Sequence, residues 1–232
     1  ARCVVASAIV VDLCCLGLEN INNKIEYLLS FKFTYQDVLK LTIDFPRLYF
    51  LSLDNIEQTI NNFKKIGYDN KDIVRMLKKC PQIYSLSIEN INNKINNFLE
   101  LGYEFNDILE LTSSNGRLFA LGIEKIKSAI QLIKSYGYSM KEIIIMTMGF
   151  PAIFHLNTEN IKEKIEFYIS IGLRDIIVID SKKMMQGIDV SYSRYMFYKS
   201  INKYVGPSNY SMLFIAQKKF FQLYGKTKED LI

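Results

Sequence analysis

Apolar residues recur along this chain at helical spacing, and the whole pattern repeats every 35 residues. In the clearest copy, residues 53–87, the apolar positions Leu53, Ile56, Ile60 and Phe63 trace one face of a first helix. The isoleucine at 56 recurs in the other copies as Ile21, Ile91, Ile126 and Ile161. A fixed period over five copies is typical of a solenoid, in which each copy packs on its neighbours.

Small and polar residues divide each copy into two helices. The first helix follows an N-cap residue, and these residues are Gly17, Ser52, Ser87, Gly122 and Asn157. It is predicted to end at a glycine in a left-handed conformation, which avoids a Cβ clash. These positions are Gly67, Gly102, Gly137 and Gly172, with Lys32 as the exception.

The second helix is predicted to open with a capping box and to close before a proline. The boxes pair Thr34 with Asp37, Asp69 with Asp72, Glu104 with Asp107, and Ser139 with Glu142. A helix cannot run through Pro81 without losing a backbone donor. Pro46 and Pro151 share its position, and Gly116 occupies the remaining one. A short 3₁₀ turn is therefore expected to lead into each following copy.

The predicted fold class is all-α: a superhelical solenoid of five to six helix–helix–3₁₀ repeats with a C-terminal helical cap. We expect a single domain over residues 1–232, because no linker composition interrupts the pattern. Its parts are a partial repeat at 1–17, repeats at 18–52, 53–87, 88–122, 123–157 and 158–192, and a cap at 193–232. The chain begins with Ala1 rather than Met, and whether a presequence has been removed stays open.

Two stretches carry a family resemblance, LDNIEQTINNFKKIGYDNKDIVRMLKKCPQIYSLS and IEKIKSAIQLIKSYGYSMKEIIIMTMGFPAIFHLN. They resemble the leucine, glycine and proline signature of the mitochondrial transcription termination factor (mTERF) family. Pentatricopeptide and tetratricopeptide repeats have a similar length but lack this order of glycine, capping box and proline. The resemblance implies a protein of the mitochondrial matrix, or of a plastid, that acts in transcription termination or regulation, or on ribosomal RNA and ribosome assembly.

The residues that catalysis or metal binding would need are missing from the motifs. His155 is the single histidine, and the four cysteines, Cys3, Cys14, Cys15 and Cys80, lack metal-ligand spacing. Recurrent carboxylates at helix starts are caps, and no phosphate-binding or dinucleotide glycine loop occurs. We expect no enzyme activity, no cofactor and no small-molecule substrate. We expect no membrane partner either, because the N-terminal apolar run is too short to span a bilayer.

Positive charge is concentrated at the C-terminal end. The net charge is +5, and residues 193–232 hold seven basic and two acidic residues, which equals the whole excess. The repeat 88–122 is acidic. Lys and Arg side chains neutralise phosphates, so the basic residues are the candidate contacts with nucleic acid. The candidates are Arg47, Lys64, Lys78, Lys79, Arg117, Lys134, Lys141, Lys182, Lys183, Arg194, Lys199, Lys203 and Lys218.

Two functions from different classes follow from this pattern. The first is a nucleic-acid-binding solenoid that contacts the backbone of DNA or structured RNA; here Arg194 is matched by resemblance to a basic residue of the family's closing helix. The second is a scaffold for protein partners, or a fixed component of a ribonucleoprotein such as an organelle ribosome. The acidic repeat 88–122 favours the second.

Overall fold

The computed structural model describes residues 16–231, which form twelve α-helices, six 3₁₀ segments and no β-strand. The α-helices are α1 (Leu18–Ser30), α2 (Tyr35–Asp44), α3 (Leu53–Ile66), α4 (Asn70–Lys79), α5 (Ile88–Glu100), α6 (Phe105–Ser114), α7 (Ile123–Ser135), α8 (Met140–Gly149), α9 (Thr158–Ser170), α10 (Ile176–Ile179), α11 (Ile188–Ser200) and α12 (Gln217–Tyr224). The 3₁₀ segments are Pro46–Phe50, Pro81–Ser85, Gly116–Ala120, Pro151–His155, Ser181–Met185 and Tyr210–Phe214. The predicted all-α class with repeating helix–helix–3₁₀ units is confirmed.

The helices fall into two compact units, one that ends at Leu121 and one that begins at Gly122. In the first unit the second helices α4 and α6 pack side by side, and so do the 3₁₀ segments that follow them. In the second unit α7 packs on α9, and α8 packs on α10. Within each unit, helices at equivalent positions of successive repeats therefore pack on each other. The single-domain organisation stays a prediction.

The apolar register of the first helices forms the core of both units. Ile56, Ile91, Ile126 and Ile161 are each 1% exposed or less. Ile21, expected at the same position of the first repeat, is only half-buried and lines a small apolar cavity with Tyr35 and Leu39. The core prediction is therefore confirmed at four of its five positions.

The first helices begin and end as the small residues predict. Ser52, Ser87 and Asn157 each accept a hydrogen bond from the backbone N–H three residues later. The four predicted glycines have positive φ, from 74° at Gly172 to 117° at Gly67. Lys32 takes the same conformation with φ of 72° although it carries a Cβ. The turn geometry is therefore kept even where the sequence lacks glycine.

The second helices begin at the predicted caps. Reciprocal boxes form at Thr34 with Asp37, at Glu104 with Asp107 and at Ser139 with Glu142. At the second repeat the structure shows one half of the box, in which Asp69 accepts from the Asp72 N–H at 2.6 Å. Each 3₁₀ segment of the first four repeats then begins at the proline position. The helix caps and turns predicted from the sequence are thus present in the fold.

Gly116 begins its 3₁₀ segment as the prolines do, but it is buried against the preceding repeat. A Cβ at Gly116 would lie 2.5 Å from Ile83 Cδ1 and 2.8 Å from Met76 Cγ. Those distances are shorter than any van der Waals contact, so a proline or alanine there would overpack the core. The exception to the proline pattern has a steric cause.

The fifth repeat is shorter than the others. Its second helix α10 has only four residues, and α11 begins thirty positions after the start of α9, at 188 rather than 193. Helix α11 therefore runs across the boundary that the 35-residue period places between 192 and 193. The sixth first helix, α11, therefore begins within residues 158–192, the range predicted for the fifth repeat.

Candidate nucleic-acid interface

Three buried lysines hold the 3₁₀ segments to the first helices. Lys24 and Lys164 donate to the carbonyl oxygens of Tyr49 and Gln186 at 2.7 and 2.5 Å, and Lys94 donates to Leu121 O. All three occupy the seventh position of their helix and are at most 8% exposed. Burial lowers the pKa of each ammonium. These cations are structural, and the sequence pattern did not predict a role for them.

Arg194 occupies the same seventh position in α11 and makes the same kind of link. Its Nη1 donates to Leu213 O at 2.8 Å and to Ile215 O at 2.7 Å, and its Nη2 donates to Gln217 Oε1 at 3.0 Å. The side chain is 2% exposed, and its guanidinium lies 4.9 Å from the centroid of the Phe220 ring.

These hydrogen bonds correct the prediction that Arg194 contacts nucleic acid. A guanidinium that is buried and hydrogen-bonded to the last 3₁₀ segment cannot present itself to a phosphate. The signal that could have found this role is the register with Lys24 and Lys164, which the short fifth repeat hides by shifting α11 by five positions.

Five of the candidate lysines have partners within the chain. Lys78 pairs with Asp37 at 2.5 Å across two repeats, and Lys183 lies 3.8 Å from Asp180. The interactions of the others are weaker: Lys79 donates to Ser114 O at 3.4 Å, Lys203 donates to Tyr224 Oη at 3.2 Å, and Lys64 lies 4.6 Å from the Phe31 ring centroid. Lys64, Lys79 and Lys203 are nonetheless exposed, so a phosphate can compete for them.

Arg47 and Arg117 lie at the second position of their 3₁₀ segments, and both are exposed. Gln82 occupies this position in the segment between them, which packs against that of Arg117. We call these three residues the 3₁₀ row. In the second unit Lys182 takes the same position and is also exposed.

Helix α4 lies beside the 3₁₀ row and is the most basic helix of the first unit. It carries Lys71, Arg75, Lys78 and Lys79 against the single acid Asp72. A groove of about 440 Å³ between α2 and α4 is lined by Lys40, Lys78 and Lys79 together with Asp37 and Asp44. The second helices and 3₁₀ segments thus concentrate the exposed cations of this unit.

The outward positions of the first helices carry several exposed acids, beside the two lysines at the end of α3. In the first unit these exposed acids are Glu19, Glu26, Asp54, Glu89 and Glu100. A polyanion is repelled by such positions and attracted to the 3₁₀ row and α4. In the first unit the exposed cations are therefore densest on α4 and the 3₁₀ row, whereas the other second helices, α2 and α6, also carry acids such as Asp44 and Glu110.

The remaining candidates lie in the second unit. Lys134, Lys141, Lys199 and Lys218 are exposed. Lys134 and Lys199 share the twelfth position of a first helix with Lys64 of the first unit. The cations therefore recur at fixed positions of the repeat rather than at random on the surface.

Repeated helix pairs with exposed cations at fixed positions define a helical-repeat protein that binds an extended anionic polymer. No group of His, Cys, Asp and Glu in residues 16–231 could hold a metal ion. The mTERF family model matches residues 13–135 and 54–179, and this chain belongs to the mTERF family. Proteins of this family are organellar, bind nucleic acid through helical repeats in organelle gene expression, and are not enzymes.

No curated protein matches the chain. Within the part of the chain that the structure describes, no helix has the length and apolar character that crossing a membrane requires.

Proposed function

We propose that this chain binds duplex DNA or structured RNA in a mitochondrion or plastid, through the phosphate backbone, as a regulator of transcription or a factor for ribosomal RNA. The observation that carries the proposal is the 3₁₀ row, where Arg47 and Arg117 are exposed at one register position. A planar guanidinium can bind a phosphate through two hydrogen bonds, which suits backbone recognition without sequence readout.

The proposed contacts also include a residue of α4 and, within the second unit by itself, the residue at the same register position. Lys79 lies in α4 and Lys182 continues the register of Arg47, and both are exposed. Lys78 is a weaker candidate because its ammonium is paired with Asp37. Affinity from such residues arises largely from counterion release and depends strongly on salt.

A double charge reversal at the row tests this proposal. The binding of a DNA duplex and of a ribosomal RNA hairpin is measured over a salt series for the parent and for Arg47→Glu with Arg117→Glu. We expect the slope of log K against log salt to become less negative by about one unit for each phosphate that the variant no longer neutralises. Comparing the two ligands also decides between DNA and RNA.

The matched control reverses two lysines on the outward positions of first helices, Lys65→Glu with Lys127→Glu. It changes the net charge equally and should leave the slope near that of the parent. Equal decreases in the two double variants would show that only net charge matters and that the row is not the interface. No binding of either nucleic acid by the parent would contradict the proposed function.

The second candidate function is a scaffold in a ribonucleoprotein. The specific observation that favours it is the set of exposed acids on the first helices, which suits a basic protein neighbour. The same row variant distinguishes the two functions. A scaffold should retain its protein partners when Arg47 and Arg117 are reversed, whereas a nucleic-acid-binding protein should lose affinity for its nucleic acid.

A further inference from the structure

A groove of about 820 Å³ lies in the second unit between the start of α11, the end of the last 3₁₀ segment and α12. We call it the cap groove. Val190, Phe214, Ile215 and Phe221 form its apolar walls. Phe221 is 52% exposed, so a large aromatic side chain is left open to solvent. The volume falls within the range of clefts that bind ligands, about 300–1,000 Å³.

The same position in the second repeat has a different lining. There the groove between α3 and the following 3₁₀ segment measures about 470 Å³ and is lined by Asn55, Gln58 and Asn62. Val190 of the cap groove takes the register position of Asn55. An open groove thus occurs at this position in both repeats, and the cap groove is the more apolar of the two although Leu51, Leu86 and Ile88 also line that of the second repeat.

The cap groove is also positively charged. Its lining contains Arg194, Lys218 and Lys228 against one acid, Glu229. The hydrogen-bond partners of Arg194 are neutral carbonyl and amide oxygens, and its buried Nε has no partner within the described residues. Lys228 pairs with Asp189 at 2.7 Å and holds the segment after α12 beside the groove.

We propose that the cap groove docks a short acidic segment of a partner protein. A leucine or phenylalanine of the segment packs against Val190 and Phe221, and its carboxylates pair with Lys218, while the buried Arg194 adds a positive charge that no acid compensates and makes no contact with them. Val190 and Ile215 give the groove an aliphatic side that suits a branched peptide side chain, and stacking of a nucleobase on the exposed Phe221 ring is the alternative that the test separates. This inference goes beyond nucleic-acid binding and does not depend on it.

The test uses the full chain and a synthetic array of short peptides that combine Asp and Glu with Leu and Phe in every order. Affinities of bound peptides are then measured in solution for Phe221→Asp and Lys218→Glu. Each variant has a matched control on the same helix outside the groove, Leu223→Asp and Lys219→Glu, at side chains that are also exposed. Circular dichroism of every variant checks that the fold is retained.

We expect some array peptides to bind Phe221→Asp about tenfold or more weakly than the parent, because a charged carboxylate replaces the apolar wall. The Leu223→Asp control should bind the same peptides as tightly as the parent does. Lys218→Glu should weaken the same peptides, and Lys219→Glu should not. The proposal is overturned if no array peptide shows this difference between variant and control. It is also overturned if Phe221→Asp abolishes binding of a single-stranded oligonucleotide and of no peptide.

Discussion

At the residue scale, the turn between the two helices of each repeat requires a left-handed residue. Four repeats use glycine there, and the first uses Lys32 at φ of 72°. A residue with a Cβ is strained in this region because the Cβ approaches the following carbonyl oxygen. Among the five repeats only the first therefore carries this local strain, and after α11 Asn202 takes the same region with φ of 55°, where asparagine is better tolerated.

This strain can be measured by placing glycine where the chain has lysine and alanine where it has glycine. Lys32→Gly should raise the free energy of unfolding by about 1 kcal/mol, and Gly137→Ala should lower it by a similar amount. Gly137 has φ of 81° and no atom within 4 Å of an added Cβ, so the effect there isolates the backbone. Urea unfolding measures both variants.

Gly172→Ala repeats the test at a second turn, because Gly172 has φ of 74° and equally open space around an added Cβ. It should lower the free energy of unfolding by an amount similar to that of Gly137→Ala. Unchanged stability at both glycines would show that a Cβ in this left-handed turn causes no strain.

At the element scale, buried cations join four of the six first helices, α1, α5, α9 and α11, to the 3₁₀ segment that follows them. Lys24, Lys94, Lys164 and Arg194 all donate to carbonyl oxygens near the end of that segment. Thr59 makes the same link at 3.4 Å in the second repeat. The 3₁₀ segments are thus fixed by polar side chains as well as by apolar packing.

Arg194→Ala is therefore expected to lower stability rather than to weaken nucleic-acid binding directly. Its removal takes the side-chain donor from Ile215 O, while Leu213 O keeps Gln186 Nε2 at 3.0 Å, and a buried group left unsatisfied costs about 1–3 kcal/mol. Urea unfolding should show this destabilisation, with partial rescue by Arg194→Lys. The salt slope of nucleic-acid binding, measured where the variant is folded, should equal that of the parent. A less negative slope at full stability would contradict the structural role.

The capping box of α8 predicts a pH dependence. Backbone and side-chain hydrogen bonds from Ser139, together with Arg174 at 2.9 Å, lower the pKa of Glu142 to about 2 from 4.5. Because the folded-state pKa is depressed, the stabilisation is present above the unfolded pKa and disappears as the pH falls from 4.5 towards 2. The parent should therefore exceed Glu142→Gln in stability at neutral pH, and urea unfolding should show the difference shrinking over that window. A stability difference that stayed constant between pH 4.5 and 2 would show that the charge of Glu142 is not its cause.

At the scale of the whole molecule, the net charge of +5 equals that of residues 193–232. With Arg194 buried, the exposed cations of this segment are Lys199, Lys203, Lys218, Lys219 and Lys226. Such a cluster attracts a polyanion even where individual ion pairs are weak.

We predict that the C-terminal segment carries a large share of nucleic-acid affinity. Reversing Lys199, Lys203 and Lys226 to Glu should reduce affinity and the salt slope more than the reversal of Arg47 and Arg117 does, by about one unit of slope for each phosphate left without its lysine. The measurement is the same salt series on both ligands. An unchanged slope in this variant, with its fold intact, would show that these lysines only solvate the end of the molecule.

Several features of this protein were determined by the sequence alone, because they depend on neighbours within a few residues. The helix ends at Ser52 and Gly67, the box at Ser139 and the 3₁₀ turn after Pro81 follow from local backbone geometry and hydrogen bonding. The constant period then placed the core isoleucines, because residues in register meet equivalent surroundings in each copy.

The role of each cation was decided only by the tertiary structure. Lys24 and Arg194 look like surface charges in sequence, yet their partners lie 25 and 21 residues away along the chain and bury them. Gly116 looks like a lapse in the proline pattern, yet Ile83 and Met76 of the previous repeat leave no room for a Cβ. Charge and size can be read from a residue, but burial depends on what the fold brings against it.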